Sequence, residues 1–392
     1  MNKKGLTTTM ELYHYYRKRE GTSMNISKQG YLQQRKKLNP NVFPYLNQKY
    51  LTDFYNSNEP VLWNNHLVLA IDGSKTEVPN SLENQQVFGQ IGNDKSPGPA
   101  RALISGVMDV FNDFFLDIQI GHIKTSETEL AKENMKEIEK LSLPYPILVI
   151  FARGYPSLEF INFLEAHTIN YLFRLSSNDY KREREAMDTQ DELVMIEHTK
   201  SRMYKIQTKH PPEIVEQLKA KKKTKTRIIN AKMIDKEITL MTNLDFKNRY
   251  QEILEVYTKR WQIEKKYHTL KNKMKWESVT GKSSIYVYQD YWAQLLVYNM
   301  IQDINHAASR KEKQEQKKYK NEKNINENIA IGLFKVQFLQ ILWEESPKER
   351  IKRWKALERE IENHLVPVRK TKNQKRKNNL SNKYKNNQKN SF

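Results

Sequence analysis

Two carboxylates, Asp72 and Glu264, stand where they could support metal-dependent chemistry on a phosphodiester. Asp72 follows the apolar run Leu67-Val-Leu-Ala-Ile71 and precedes Gly73-Ser74; in open α/β sheets, ligand sites gather at such strand ends. Glu264 lies within Tyr257-Thr-Lys-Arg260-Trp-Gln-Ile-Glu264-Lys-Lys-Tyr267-His-Thr-Leu-Lys271, a stretch of helical length. At about 100° per residue, Tyr257, Arg260, Glu264 and Lys271 fall within roughly 60° of one another, so one helix face carries a carboxylate between two cations and a phenol. Trp261 and Tyr267 are expected to be buried from the same helix. Phosphodiester cleavage by two divalent ions needs carboxylates at fixed points, because the ions sit about 4 Å apart to steady the attacking and leaving oxygens. Each segment also has an ordinary reading: Asp-Gly after a strand as a turn, and the helix as a surface helix stitched by ion pairs.

The elements that must position these residues follow from the patterning. Residues 1 to about 60 read as a basic helical module with candidate helices Met10 to Arg19, Lys28 to Leu38 and Val42 to Tyr55, separated by Gly21 and Pro40. The second begins with Ser27 as N-cap and presents Gln33, Gln34, Arg35 and Lys37, side chains suited to base edges and phosphates, or equally to a solvated packing helix. From His66 the pattern becomes α/β. Leu67 to Ile71 is a strand, and Arg101 to Val110 and Phe114 to Ile120 form a hairpin about Asn112-Asp113. Ser126 to Leu141 is a helix with Glu129 placed for a capping box, Ile147 to Phe151 a buried strand, Ser157 to Ala166 a helix and Asn170 to Leu175 a strand. The order predicts an α/β sheet of mixed direction. Residues 176 to 236 read as a β-rich insertion, with Leu193 to Glu197 and Arg227 to Ile234 around a Pro211-Pro212 break. Strand Glu237 to Thr242, one long helix from Phe246 to Met274 and an apolar helix from Tyr286 to His306 complete the core. Beyond it come a polar linker, two amphipathic helices between Ile329 and Val366, and a basic tail from Arg369 that is expected to be disordered.

Composition narrows the function classes. The 392 residues leave room for two or three domains, and 38% hydrophobic content with a mean hydropathy of −0.83 describes a heavily charged surface. No apolar run approaches the roughly 20 residues that span a bilayer, and the polar, lysine-containing N-terminus does not read as a secretory signal; a soluble, cytoplasmic protein with no membrane partner is expected. The absence of cysteine excludes disulfides, thiolate zinc sites and cysteine nucleophiles, and no pair among the nine histidines has helical metal-ligand spacing. A net charge of +21, from 67 basic against 46 acidic residues, favours a polyanion such as nucleic acid, because lysine and arginine release counterions on neutralising phosphates.

The combination of motifs resembles the DDE transposases of the insertion-sequence-four family, cut-and-paste enzymes of bacterial mobile elements with a ribonuclease-H-like core. The family's first aspartate lies in a D-G-S motif, matched by Asp72-Gly73-Ser74, and its glutamate lies in Y-x2-R-x3-E-x6-K, matched by Tyr257, Arg260, Glu264 and Lys271. Pro79-Asn80, Phe88-Gly89, Gly281-Lys282 and Tyr288-Gln-Asp-Tyr-Trp292 are similar as well. The second aspartate of the family opens a D-R-G-Y-P-S motif; this chain has Ala152-Arg153-Gly154-Tyr155-Pro156-Ser157, with the frame intact and the acid missing. Neither Glu159 nor Glu165 sits at the strand end to replace it.

The resemblance implies a ribonuclease-H-like mixed sheet flanked by helices over residues 61 to 306, interrupted by the insertion, with the helical module before it and C-terminal helices after it. It implies that Asp72 and Glu264 are catalytic and hold Mg²⁺ or Mn²⁺, two ions in an intact member. Tyr257, Arg260, Lys271 and Arg153 would contact DNA, joined by Arg35 and Lys37 from the basic helix. Partners would be double-stranded DNA, both terminal inverted repeats and target, bound by a homodimer near the bacterial nucleoid. A base-stacking aromatic in the insertion stays unassigned, with Tyr180 and Tyr204 as candidates. Since a methyl group cannot coordinate a metal, strand cleavage is expected to be severely reduced while DNA binding persists. The competing readings are a noncatalytic DNA-binding remnant or repressor of related elements, and a nuclease on the same fold.

Overall fold

The computed structural model describes residues 27–92, 97–233, 236–315 and 323–367, which divide into two compact units at Leu296/Val297. The candidate helix Met10 to Arg19 and the basic tail from Arg369 lie outside the described residues.

Among the described residues, the larger unit opens with α1 (Lys28–Lys36) and α2 (Val42–Ser57). Ser27 caps α1 as expected, accepting from Gly30 N at 3.1 Å. Next come β1 (Leu67–Glu77), α3 (Leu82–Phe88), β2 (Arg101–Asp109), β3 (Phe115–His122), α4 (Glu127–Lys140), β4 (Ile147–Phe151), α5 (Leu158–Ala166) and β5 (Asn170–Arg174). The expected hairpin is present, with Asp113 in the left-handed region at φ 58°. Ser126 caps α4, whereas Glu129 pairs with Lys132 at 2.8 Å and closes no capping box.

The segment expected as an insertion contains α6 (Lys181–Glu185), β6 (Asp191–Glu197), α7 (Lys200–Gln207), α8 (Pro212–Lys221) and β7 (Lys223–Met233), followed by β8 (Lys236–Thr242). Its strands extend the main sheet. All eight strands lie in one sheet of order β3-β2-β1-β4-β5-β8-β7-β6. β1, β4 and β5 run parallel and every other pairing is antiparallel. Pro211-Pro212, read from sequence as a break, starts α8, because proline at the first helical position lacks only an N–H that would be unpaired there anyway.

The single long helix expected over 246–274 is two helices, α9 (Tyr250–Thr258) and α10 (Trp261–His268), followed by a π-helical turn, Thr269–Lys273. At the joint the hydrogen bonds tighten to three-residue spacing, Arg260 N to Tyr257 O at 3.1 Å and Ile263 N to Arg260 O at 3.3 Å, while Arg260 keeps helical dihedrals. α11 (Ser284–Glu315) crosses from the larger unit into the smaller. In the smaller unit, β9 (Lys323–Ile325) pairs with β10 (Leu365–Pro367) around α12 (Glu327–Leu342) and α13 (Pro347–Glu362).

Pleating assigns the two faces of the sheet. Directly opposed residues on paired strands share a face, so Asp72 and Gly106 point one way while Gly73 and Ser105 point the other. α10 covers the first face, where Tyr267 lies against Gly106, and α4 covers the second, where Asn134 donates to Ser105 O at 3.2 Å and to Asp117 Oδ2 at 2.8 Å. The core behind α4 and α5 contains Leu69, Ile71, Val149 and Phe151 from the central strands and Ala131, Met135 and Ile138 from α4.

α2 is locked into this unit by a buried polar knot. Asp109 is fully buried at the end of β2 and accepts from Tyr55 Oη at 2.7 Å, Asn112 Nδ2 at 2.6 Å, Phe111 N at 3.0 Å and Asn112 N at 3.1 Å. α2 therefore packs against the core, whereas α1 has no buried residue. Asp109→Ala strands four donors at once and is expected to destabilise the fold by about 3 kcal/mol in chemical denaturation, roughly twice the effect of Tyr55→Phe, which removes one. Equal effects of the two substitutions contradict the carboxylate's role as the hub.

Candidate active site at the open edge of strand β1

The parallel pairing of β1 with β4 ends at Ile71 opposite Phe151, yet β1 continues to Glu77, held from then on only by β2. Asp72 is thus inside a strand and not in a turn. Ala152 is the first residue beyond β4, one past the last β1–β4 pair, Ile71 with Phe151. From Asp72 onward the β4 side of β1 has no strand partner; α9 meets the end of β4 through Tyr257, and α10 crosses the Asp72 face of the sheet through Tyr267.

The motif residues of these helices contact that edge in sequence. Tyr257 Oη lies 3.4 Å from Phe151 O at the end of β4. Arg260 is buried, with Nη2 2.9 Å from Glu264 Oε1 and Nη1 3.9 Å from Asp72 Oδ2. Tyr267 Oη donates to Asp72 O at 2.9 Å, and Lys271 Nζ donates to Lys75 O at 2.6 Å. Arg260 thus joins Asp72 to Glu264, Tyr257 reaches the end of β4 and Lys271 reaches β1 three residues beyond Asp72; Ala152 is the residue after β4, followed by exposed Arg153. A Cβ on Gly106 would stand 2.5 Å from Tyr267 Oη, so only glycine lets that phenol reach the β1 backbone.

Other expectations are corrected. Trp261 is 49% exposed, not buried, and the Arg260 guanidinium lies 4.6 Å from its ring centre. Arg35 does not face outward; its side chain donates to Gln289 Oε1 at 2.9 Å and is ion-paired with Asp290, which fastens α1 to α11. Lys37 is exposed. Of the two stacking candidates, Tyr180 is covered by Arg202, 5.4 Å from its ring centre, and Tyr204 is 68% exposed.

The sequence reading missed Glu127, the first residue of α4. A Cβ on Gly73 would stand 2.6 Å from its Oε1, so the Glu127 carboxylate lies against the backbone just beyond Asp72. Buried Tyr155 is turned toward it: the Tyr155 phenol is pushed well up by burial, then by the charges of Glu127 and Asp72. The one advance signal was Gly73 itself, a residue that permits close approach.

Burial pushes the Asp72 carboxyl up to about 6, against the lowering pull of Arg260, with Glu264 and Glu127 adding to the rise. Hard carboxylate oxygens are the right donors for Mg²⁺ or Mn²⁺, and a cation already bridges Asp72 and Glu264 in the form of the Arg260 guanidinium. The pair matches a divalent site in kind but falls short in number. Among the described residues, no three His, Cys, Asp or Glu side chains are already gathered closely enough to hold an ion.

The transposase DDE domain model matches residues 63–300, and the chain belongs to that family. The transposase InsG for insertion sequence element IS4 of Escherichia coli (strain K12) is 24% identical over 247 residues, 61% of this chain and 52% of that protein; the chain thus spans about half the length of that curated relative. A cryo-EM structure of a piggyBac transposase synaptic complex with hairpin DNA aligns over 76% of this chain and 57% of that one, with 11% identity and a TM-score of 0.41. Among the described residues, no helix is long and apolar enough to cross a membrane.

The raised carboxyl has a thermodynamic consequence. An unfolded Asp titrates near 3.9, so between pH 4 and 6 the folded protein holds the extra proton, and stability falls as pH rises through that window. In EDTA, Asp72→Asn is expected to leave stability unchanged below pH 4 and to raise it by up to about 2 kcal/mol at pH 7. Stability curves for the two proteins that stay parallel from pH 4 to 7 contradict this.

Proposed function

We propose that the chain is a DNA transposase that binds the terminal inverted repeats of a bacterial insertion sequence and acts by cut-and-paste cleavage and strand transfer, with cleavage impaired by Ala152. The observation that supports this reading is Arg260 held between Asp72 and Glu264 where the β1–β4 pairing ends, one residue before Ala152, in a chain of the transposase DDE domain family.

Asp72 and Glu264 are the residues that would hold Mg²⁺ or Mn²⁺. Bound in pairs, such ions stabilise the attacking and leaving oxygens of a phosphodiester. Ala152 takes the place of the missing second aspartate. Arg260 is rigidly aimed and buried, so it would present a fork of donors to a phosphate once released from Asp72. Tyr257, Lys271 and exposed Arg153 line the same edge and would fix the DNA backbone. The net charge of +21 supplies long-range attraction. Two chains would pair the element's ends as a homodimer, in the cytoplasm and close to the nucleoid.

Ala152 favours a second reading, a noncatalytic DNA-binding remnant or repressor of related elements, and a nicking assay separates the two. On a terminal-repeat duplex with Mn²⁺ or Mg²⁺, the chain is expected to cleave at least about a hundredfold more slowly than Ala152→Asp, and Glu264→Ala in the restored protein abolishes the gain. A restored protein that binds the duplex without cutting it rejects the catalytic reading, and equal cleavage with and without the restoration rejects the lesion. Binding itself should weaken by about a hundredfold or more between 50 and 200 mM salt. Salt-insensitive binding contradicts the phosphate contacts.

A further inference from the structure

We infer that Glu277 is a positioning residue for Lys271: its carboxylate helps to close the unpaired edge of β1 and at the same time keeps the Lys271 ammonium in place and charged for a DNA phosphate. The inference rests on the proposed reading that Lys271 meets the DNA backbone, and adds the residue that prepares it.

Beyond Ile71, β1 has no strand partner on its β4 side, and backbone N–H and C=O groups left without partners are costly. Parity decides which groups face that side, since alternate residues of a strand direct their backbone groups to the same edge. Leu67 N donates to Pro146 O at 2.9 Å on the β4 side, whereas Val68 O accepts from Val110 N at 3.1 Å on the β2 side. Lys75 and Glu77, like Leu67, therefore face the unpaired edge. Three side chains take the place of a strand there. Lys271 Nζ donates to Lys75 O at 2.6 Å, Glu77 N donates to Glu277 Oε1 at 3.3 Å, and Tyr291 Oη donates to Glu77 O at 3.2 Å. Thr76 Oγ1 also donates to Glu277 Oε1, at 3.2 Å, and lies 3.1 Å from Tyr291 Oη.

The chain between the two residues delivers Glu277 to this place. Lys271 lies in the π turn, and Lys275, in the left-handed region at φ 55°, reverses the chain after it. Trp276 is fully buried, with its N donating to Leu270 O at 3.0 Å and its ring centre 4.9 Å from that of Tyr291. The glutamate beside this anchor is thereby held against β1.

Accepting from Thr76 and Glu77 calls only for an oxygen, which the amide of a glutamine would supply equally well. The negative charge has a different use. Glu277 Oε1 lies 3.9 Å from Lys271 Nζ, the cation paired with it among the described residues. Burial pulls the Lys271 ammonium below its ordinary range, and the charge of Glu277 pushes it back up. The other titratable groups at this edge are engaged elsewhere. Glu77 is ion-paired with Arg101 at 2.8 Å, and the Tyr291 phenol is pushed up by burial, with Glu277 and Asp290 adding to the rise against the bond to Thr76. An ammonium carries three donors, and the Lys75 carbonyl takes one, so the remaining donors can serve a phosphate.

The test is the pH dependence of DNA binding by the full chain in EDTA, with a terminal-repeat duplex and a scrambled duplex of equal length, between pH 7 and 9.5. Glu277→Gln keeps the oxygen that β1 needs and removes the charge, so Lys271 loses its proton at lower pH than in the parent. Other groups titrate alike in both proteins. The Kd of Glu277→Gln relative to the parent is expected to rise by about fivefold or more from pH 7 to 9.5, and the salt dependence at pH 9.5 to fall by about one phosphate contact. In a Lys271→Arg background the same substitution should produce no such rise, because a guanidinium stays charged throughout. Identical pH profiles for the parent and Glu277→Gln overturn the inference. A loss of affinity that is uniform across pH, as for a purely structural glutamate, or one that persists in the Lys271→Arg background, overturns it too. Equal affinity for the two duplexes, with the Glu277-dependent rise present, supports the positioning role and counts instead against terminal-repeat recognition.

Discussion

The register at which β4 leaves β1 is the constraint on which the rest of the site depends. Five residues of parallel pairing, Leu67 with Ile147 through Ile71 with Phe151, hold the two strands flush within the apolar core. One residue later the support disappears from one side of β1 while β2 continues to hold the other. Asp72 is thereby fixed by backbone hydrogen bonds and still has an open flank. A longer β4 would fill that flank, and a shorter β1 would leave the carboxylate on a loose turn.

Concentrating carboxylates at such an edge is costly, and the fold offsets the cost with Arg260. A charge removed from water needs a partner, and taking one partner away from a buried pair is more damaging than never having had the pair. The tight turn between α9 and α10 points the guanidinium at Glu264 and Asp72, and Tyr267 and Lys271 then tie the following turns to carbonyls of β1. The π turn lies where a regular helix meets that hydrogen-bonded edge, a setting in which such irregularities are common. Stability is supplied elsewhere, by the Asp109 knot and the aromatic core around Phe151, Phe160 and Phe173.

Much of this was legible in the amino-acid sequence. Leu67 to Ile71 and Ile147 to Phe151 are continuous apolar runs whose short length and β-branched residues favour buried strands, and the Tyr257, Arg260, Glu264 and Lys271 spacing encodes one helix face at any modest departure from ideal geometry. What escaped was set by partners far away in the chain. Arg35 looked like a phosphate contact because nothing local reveals that Asp290 awaits it. The segment 176–236 read as a β-rich insertion, but that its strands extend the main sheet was not legible, because strand pairing is long-range and it is β8 against β5 that joins them. Trp261 was expected inside because tryptophan usually is, but the tight turn rotates it outward under Arg260. Glu127 was invisible for the same reason as Arg35: its importance comes from the β1 residue it meets, not from its neighbours in α4.

The most direct test is where a divalent ion goes. In crystals of the full chain grown with Mn²⁺, anomalous scattering is predicted to place an ion at the open edge of β1, ligated by the carboxylates of Asp72 and Glu264, with Arg260 withdrawn from Asp72. An ion bound elsewhere, or crystals saturated with Mn²⁺ in which Arg260 still bridges both acids and no anomalous peak appears beside them, would contradict the account.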